Sequence, residues 1–183
     1  MRTDDQTFDF DFADIHGHDK AIHDFARALL QTDQTILFCG LPGTGSTMLA
    51  RRGAQMLSGP FRAPHHTVSQ PGLVGYTHPA STPQNPHFIH GEVHLAQGGI
   101  LFLDEIQKMH PRALRALGAT EHDARIVLHA IPFDGNPIFE TNLERFERDF
   151  GPLIRIDLPV VPYPKMRTSP PGPSTAELIA LYA

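Results

Sequence analysis

Two short stretches combine residue types that could bind and activate a phosphate ester. The first runs from Gly40 to Thr47, reads "GLPGTGST", and directly follows the apolar run "TILFC". Glycines at this spacing let the backbone curl so that several N–H groups point at one anion, and a helix that follows adds its positive N-terminal end. A hydroxyl in the first helical turn can ligate Mg²⁺, and Thr47 is in register for it. We therefore predict a phosphate-binding loop in which Ser46 stands where a lysine is expected.

The residues of this loop predicted to contact a nucleotide are Gly40, Leu41, Pro42, Gly43, Thr44, Gly45, Ser46, Thr47 and Met48.

The second stretch, "ILFLDE", places two carboxylates, Asp104 and Glu105, directly after four apolar residues. The carboxyl edge of a parallel sheet is where ligands bind, so a buried strand would present both acids there. We expect Asp104 to hold Mg²⁺ together with Thr47, and Glu105 to act as the general base on the attacking water. Either motif alone is common in ordinary turns and strands. Together they favour a nucleotide site by ancestry, and whether the site is still usable remains a separate question.

The histidines and the cysteine give weaker indications of a metal-binding or catalytic site than the two motifs above. His90 and His94 are spaced by four residues, as two metal ligands on one helix face would be, but "HGEVH" lacks the glutamate position of the metalloprotease motif. We expect structural roles for the 12 histidines, with zinc binding as the lesser alternative. Cys39, the only cysteine, precedes the glycine loop in a strand, so packing is favoured over catalysis.

Apolar periodicity indicates the elements that position these motifs. Helices are predicted at 16–30, 46–57, 90–99, 110–119 and 137–150, and strands at 35–39, 100–105, 125–131 and 153–161. Residues 59–86 are rich in Pro, His, Ser and Thr and are predicted to be irregular. Alternating strands and helices are typical of a parallel α/β sheet. We divide the chain into a loose acidic arm (1–12), a nucleotide-binding core (13–161) and a Pro-rich tail (162–183).

Composition limits the function classes. A net charge of −5 in 183 residues gives no global positive field for nucleic acid. No apolar run approaches the length needed to cross a bilayer, and the acidic N-terminus does not resemble a signal peptide. A single cysteine permits no internal disulfide and fits a reducing compartment. We expect a cytoplasmic protein with no membrane association.

Four segments, in order along the chain, resemble the AAA+ ATPases of the magnesium chelatase subunit I group, which includes the ComM (YifB) proteins. They are "FADIHGHDKA", "FRAPHHTVS", "GEVHLAQGGILFLDEI" and "GPLIRIDLPV". The resemblance implies a P-loop NTPase core with a parallel sheet flanked by helices, and ATP or ADP bound with Mg²⁺ at the subunit boundaries of a ring. It further implies that Ile15 lies on the adenine side and that Arg155 is an arginine finger acting on a neighbouring subunit. The implied partners are further AAA+ subunits, chelatase subunits or DNA.

The sequence also departs from that family. Ser46 replaces the lysine, Pro132 follows the third strand where a sensor asparagine is expected, and Asn136 comes four residues late. Ile154 precedes Arg155 where the family has an acid, and we expect no helical lid domain after residue 161. Three hypotheses remain: an ATP-binding module with weak or deficient hydrolysis that acts as a regulatory or assembly partner, an active ATPase for porphyrin metallation or DNA remodelling, and an interaction module that binds no nucleotide.

Overall fold

A computed structural model describes residues 11–132, 137–162, 165 and 168–183, with only the backbone described for 137–142. The helices are α1 (Asp19–Gln31), α2 (Ser46–Met56), α3 (Gln70–Val74), α4 (Glu92–Leu95), α5 (Pro111–Gly118), α6 (Pro137–Phe150) and α7 (Thr175–Tyr182). The strands are β1 (Thr35–Gly40), β2 (Phe61–Arg62), β3 (Tyr76–Thr77), β4 (Phe88–Ile89), β5 (Ile100–Leu103), β6 (Arg125–Ala130) and β7 (Leu153–Leu158).

The main sheet has the strand order β2-β5-β6-β1-β7, and every pairing in it is parallel. The strands β1 and β5 are buried along their whole length, as their uninterrupted apolar sequences predict. A separate antiparallel pair joins β3 to β4. The predicted α/β class is confirmed. The order places the carboxyl ends of β1, β5 and β6 side by side, since β6 lies between the other two.

Two apolar clusters cover the two faces of this sheet. Residues of α1, α2 and α7 pack on one face around Phe38 and Phe102, whereas α3, α4, α5 and α6 contribute to the other, around Leu37 and Leu101. Successive strand residues point to opposite faces, which is why neighbours in β1 and β5 belong to different clusters. The fold is therefore a three-layer arrangement with helices on both faces.

Several predicted boundaries differ from the observed ones. The strand predicted to end at residue 105 ends at Leu103, because the chain turns into a left-handed conformation at Glu105. The helix predicted over 90–99 is a single turn, and the stretch 59–86, predicted to be irregular with at most short strands, also contains helix α3. Asn136 lies outside the described residues.

Both ends of the described chain pack against α1. Phe12 is wholly buried, and Leu178 of α7 is wholly buried beside α1. The carboxylate of Asp11 accepts a hydrogen bond from the backbone N–H of Thr175 at 2.6 Å. The sequence prediction assigned residues 11 and 12 to a loose arm and residues 162–183 to a Pro-rich tail. Instead, a helix begins at Thr175 and fixes the two ends to each other.

Among the described residues, no helix has both the length and the apolar character needed to cross a membrane.

Candidate functional site

A cleft of about 500 Å³ opens at the carboxyl edge of the sheet. One wall, the loop wall, consists of the segment from Gly40 to Met48; the other, the acidic wall, consists of Asp104, Glu105 and His129. The side chains and backbone that line the cleft belong to Pro42, Gly43, Gly45, Ser46, Thr47, Met48, Asp104, Glu105 and His129. The two predicted motifs thus face each other across one cleft, where ligands of parallel sheets bind.

The loop wall curls because two of its glycines adopt left-handed backbone conformations. Gly43 has φ +85° and Gly45 has φ +92°. A β-carbon on Gly40 would lie only 2.9 Å from the carbonyl oxygen of Leu158, so the loop starts at a point too crowded for a side chain. The Thr44 hydroxyl donates to the carbonyl of Leu41 at 2.8 Å and closes the turn. These features give the backbone the shape of an anion-binding loop.

Helix α2 directs its N-terminus into the cleft. Gly45 is the capping residue, and no side chain caps the first amides of the helix. Those amides and the helix dipole favour a negatively charged ligand at this end. Ser46 is 7% exposed, whereas Thr47 is exposed on the cleft side, where the predicted Mg²⁺ ligand must stand.

The two arginines of α2 do not line the cleft. The guanidinium of Arg51 lies over the ring of Phe61, 5.2 Å from its centroid. Arg52 is buried with a guanidinium nitrogen 4.0 Å from the carboxylate of Asp14. Burial lowers the pKa of Arg52, and Asp14 partly offsets this effect. Both arginines therefore point away from the cleft, as expected from their positions on the helix.

Asp104 is held by the protein on one oxygen. Its Oδ1 accepts from the backbone N–H of Glu105 at 2.8 Å and lies 2.6 Å from Nδ1 of His129. The side chain is 52% exposed, so the carboxylate still faces the cleft. A carboxylate here and the Thr47 hydroxyl opposite are oxygen donors of the kind Mg²⁺ prefers, and the residues present therefore fit that ion.

Glu105 sits in a strained backbone conformation, with φ 47° and ψ 50° in a residue that has a β-carbon. Its Oε1 is 2.6 Å from the ammonium of Lys108, one turn later, and its Oε2 is 4.0 Å from Nδ1 of His66. The residue predicted to be the general base is therefore already paired with a cation.

His129 was not predicted as a site residue. It lies on β6, only 2% exposed, and its Nε2 is 3.1 Å from the carbonyl oxygen of Gly40. Its ring thus connects the start of the loop wall to Asp104. The available signal was an ionisable residue within the apolar part of a strand that otherwise has only Arg125 at its start, "RIVLHAI".

Five predicted site residues lie outside the cleft lining: Gly40 and Thr44, which shape the loop, and Ile15, Leu41 and Arg155. Ile15 is 1% exposed and belongs to the core beneath α1, and Leu41 is 48% exposed without lining the cleft. Arg155 lies on β7, where its Nε donates to Asp157 at 2.9 Å. It lines a second cavity, of about 360 Å³, beside His18 and the start of α1. The roles assigned to these residues stay predictions.

The remaining candidates are Cys39, His90 and His94. Cys39 is 2% exposed, and burial raises the pKa of its thiol to about 11, which suppresses the reactive thiolate. The rings of His90 and His94 lie with their centroids 5.2 Å apart. In the part of the chain that the structure describes, no group of three or more His, Cys, Asp or Glu residues is arranged to hold a metal ion.

The middle of the chain matches a known protein family. Residues 53–131 match the family described as magnesium chelatase, subunit ChlI. The resemblance to magnesium chelatase subunit I is confirmed. The matched segment includes the acidic wall and His129 but begins after the glycine loop.

The relatives span much longer chains. The competence protein ComM of Haemophilus influenzae is 34% identical over 121 residues, which cover 51% of this chain and 22% of ComM. The uncharacterized protein YifB of Escherichia coli is 34% identical over 110 residues, which cover 45% of this chain and 20% of YifB. The chain therefore spans about a fifth of the length of these curated relatives.

Solved structures show the same fold. NtrX from Brucella abortus in complex with ATP superposes with a TM-score of 0.55 at 19% sequence identity, over 81% of this chain and 38% of NtrX. At this level of identity the likeness establishes the α/β P-loop fold and nothing finer.

Proposed function

We propose that this chain binds a nucleoside diphosphate or triphosphate with Mg²⁺ in the cleft and hydrolyses it slowly or not at all. One observation carries the proposal: the loop wall keeps the backbone shape of a phosphate-binding loop while Ser46, 7% exposed, occupies the lysine position. The chain would then act as a regulatory or assembly partner of AAA+ subunits.

Binding is supported by groups that do not depend on the lysine. The amides of the curled loop and the uncapped start of α2 point into the cleft. Hydrogen bonds to a charged group contribute roughly 1.5–3 kcal/mol each, so loss of the lysine weakens phosphate binding by about tenfold to a hundredfold without abolishing it. NtrX, which shares the fold, has been crystallised with ATP and with ADP.

Thr47 and Asp104 would hold the magnesium ion that accompanies the nucleotide. The metal would neutralise phosphate charge, which is the chemistry it supplies in such sites. The protein contributes a hydroxyl from the start of α2 and, across the cleft, a carboxylate from the turn directly after β5.

Hydrolysis is disfavoured by three features of this chain. The lysine that would stabilise charge in the transition state is absent. Glu105, which would take the proton of the attacking water, is engaged by Lys108 at 2.6 Å. The described residues directly after β6 include Pro132 at the sensor position and no asparagine. Each feature acts on the chemical step more strongly than on binding.

The proposed partners are other AAA+ subunits, with DNA or chelatase subunits as further candidates. The family match and the relative named a competence protein support this class of assembly. Arg155 is 45% exposed on its side chain and could reach a neighbouring subunit, although it is paired with Asp157 within its own chain.

An active ATPase is the second candidate function. It is favoured by the joint presence of Thr47, Asp104 and Glu105 in one cleft, since these residues would serve the metal ion and the attacking water.

Two measurements test the proposal. Calorimetric titration with ADP and with ATP, each with Mg²⁺, should show weak, saturable binding, and no heat up to millimolar nucleotide would remove both candidate functions. Steady-state phosphate release should match that of Glu105→Gln, because the wild-type chain has little turnover to lose. Measurable turnover that Glu105→Gln abolishes, and that the control Glu121→Gln on an exposed loop retains, would establish the active ATPase instead.

A further inference from the structure

The ring of His129 bridges the two walls of the cleft at their base. Nδ1 is 2.6 Å from Oδ1 of Asp104, and Nε2 is 3.1 Å from the carbonyl oxygen of Gly40. The carbonyl can only accept, so Nε2 donates to it, and one proton lies between Nδ1 and Oδ1. The side chain of His129 is only 3% exposed, so water does not compete for the two hydrogen bonds of the ring.

This contact determines which oxygen of Asp104 is available. Oδ1 makes two hydrogen bonds, one with Nδ1 of His129 and one with the backbone N–H of Glu105. Among the described residues, no group is hydrogen-bonded to Oδ2, and the side chain is half-exposed toward the cleft. The carboxylate is therefore oriented with one oxygen bound by the protein and the other open.

From this geometry we infer that His129 is a positioning residue, which fixes Asp104 so that Oδ2 alone faces the cation bound with the nucleotide. The inference rests on the proposed function, because it assigns the cation to that site. It goes further in naming a strand histidine, outside both sequence motifs, as the group that sets the metal affinity of the cleft.

Register explains why His129 can do this. The parallel pairing aligns Leu103 of β5 with Leu128 of β6, so the residue after each, Asp104 and His129, emerges at the same level of the sheet edge. On the other side of β6, His129 is aligned with Phe38 of β1, two residues before Gly40. A histidine at this one position of β6 reaches both walls.

Two amide substitutions separate the two contacts of the ring. The side-chain nitrogen of asparagine can occupy the place of Nδ1, and that of glutamine the place of Nε2. His129→Asn therefore keeps a donor for Asp104, whereas His129→Gln keeps a donor for Gly40 and leaves Asp104 without its partner. Both variants remove the ring, so the pair controls for the loss of packing.

The readout is the gain in ADP affinity that Mn²⁺ provides, measured by calorimetry with and without the metal. Residues that orient a metal ligand typically contribute tenfold to a hundredfold in metal affinity. We expect His129→Gln to lose about tenfold or more of the Mn²⁺-dependent gain, with ADP affinity in EDTA unchanged, and His129→Asn to keep most of it. Equal metal dependence in His129→Gln and wild type would overturn the inference, as would equal losses in both variants.

A second readout needs no nucleotide. The Nδ1–H proton of a ring that is 3% exposed should be protected from exchange and shifted downfield in the proton spectrum, and His129→Gln identifies its signal. Asp104→Ala should abolish or strongly shift it, whereas Asp123→Ala, which removes an acceptor of the Gly98 amide outside the cleft, should not. An unmoved signal in Asp104→Ala overturns the inference even where nucleotide binds. If wild type binds no nucleotide but the signal responds, the contact between His129 and Asp104 stands, whereas the proposed function fails and the assignment of the cation fails with it.

Discussion

The loop wall and the acidic wall of the cleft differ in the atoms on which they depend. The loop wall presents backbone amides, shaped by Gly43 and Gly45 in left-handed conformations. The acidic wall presents two carboxylates, and each is already in contact with a side chain of the protein: Asp104 with His129, and Glu105 with Lys108.

This difference separates binding from turnover. A backbone cradle keeps its shape when one side chain changes, so under the proposed function the serine at position 46 leaves the anion site in place. Carboxylates lose their function whenever a neighbour occupies or misdirects them, so the chemistry of the acidic wall can change without any change in the fold. A chain of this kind can retain nucleotide as a structural ligand after hydrolysis has been lost.

The largest expected effect comes from breaking the loop wall at Gly43. A β-carbon there meets no atom within 4 Å, so Gly43→Ala projects a methyl group into the space left for the ligand and strains a residue at φ +85°. Displacing two or more amide bonds to a charged phosphate, worth roughly 1.5–3 kcal/mol each, predicts about a hundredfold weaker Mg·ADP binding in calorimetry.

Gly98→Ala is the matched control for this change. Gly98 has φ +73°, its β-carbon would also face open space, and it lies outside the cleft lining. Both variants should lower the melting temperature by similar amounts, because the backbone strain is alike. Equal affinities in the two variants would contradict a backbone-based phosphate site.

Restoring the lysine is the next largest test. Ser46→Lys should tighten Mg·ADP and Mg·ATP binding by about tenfold to a hundredfold, because a charge-assisted bond to phosphate contributes roughly 1.5–3 kcal/mol. Gln55→Lys adds the same charge on an exposed position of the same helix and should change affinity little. If Ser46→Lys binds no better than Gln55→Lys, the defect lies elsewhere in the cleft.

Sequence alone was sufficient for the elements that are either fully apolar or bounded by glycine. Apolar runs predict β1 and β5 because a strand covered on both faces can tolerate little else. The glycine pattern predicts the loop wall because only glycine adopts its left-handed conformations at no cost. Both walls of the cleft, apart from His129, could therefore be named before their geometry was known.

Long-range pairing accounts for what could not be predicted. The contact between His129 and Asp104 spans 25 residues and depends on the register of β5 against β6. The contact between Glu105 and Lys108 depends on the left-handed turn at Glu105, which no propensity of glutamate indicates. In the tail, the proline content concealed α7, although Ser174 and Glu177 form a capping box that marks its start.

A pH experiment tests how much His18, a buried residue beside the backbone of Thr44 in the loop wall, contributes to the free energy of unfolding. His18 is 5% exposed, and burial lowers the pKa of its ring, with the backbone of Thr44 and the charge of Asp19 opposing this effect. The unfolded chain therefore binds a proton more readily than the folded chain. Stability contributed by this residue is complete above its ordinary pKa, about 6.5, and is lost as the pH falls below that value.

We expect the free energy of unfolding to decline on acidification from pH 7.5 to 5.5, with His18 contributing at most about 1.4 kcal/mol per pH unit. Urea unfolding at several pH values measures this slope. His18→Gln should flatten it, and His87→Gln, at an exposed position, should not. A slope unchanged by His18→Gln would exclude His18 as a source of acid sensitivity.

The smallest expected effect concerns the pairing of Glu105 with Lys108. The side chains are 28% and 51% exposed, so the pair is worth only about 0.2–1 kcal/mol. Lys108→Met should improve Mn²⁺-dependent ADP binding by up to about fivefold, because the cleft loses a cation that competes with the metal. In EDTA the same variant should bind ADP slightly more weakly, because that cation no longer attracts the phosphates.

The two expected changes in ADP affinity have opposite signs, tighter binding with Mn²⁺ and weaker binding in EDTA, so even a small effect is informative. A change that merely loosens the turn at Glu105 would move both affinities in one direction. Lys165→Met, at an exposed position outside the cleft lining, controls for the general loss of one positive charge. If Lys108→Met weakens binding with and without Mn²⁺, Lys108 serves the nucleotide directly. Lys108, beside the acidic wall, would then supply the positive charge that Ser46 does not. Binding and catalysis could no longer be assigned to separate walls of the cleft.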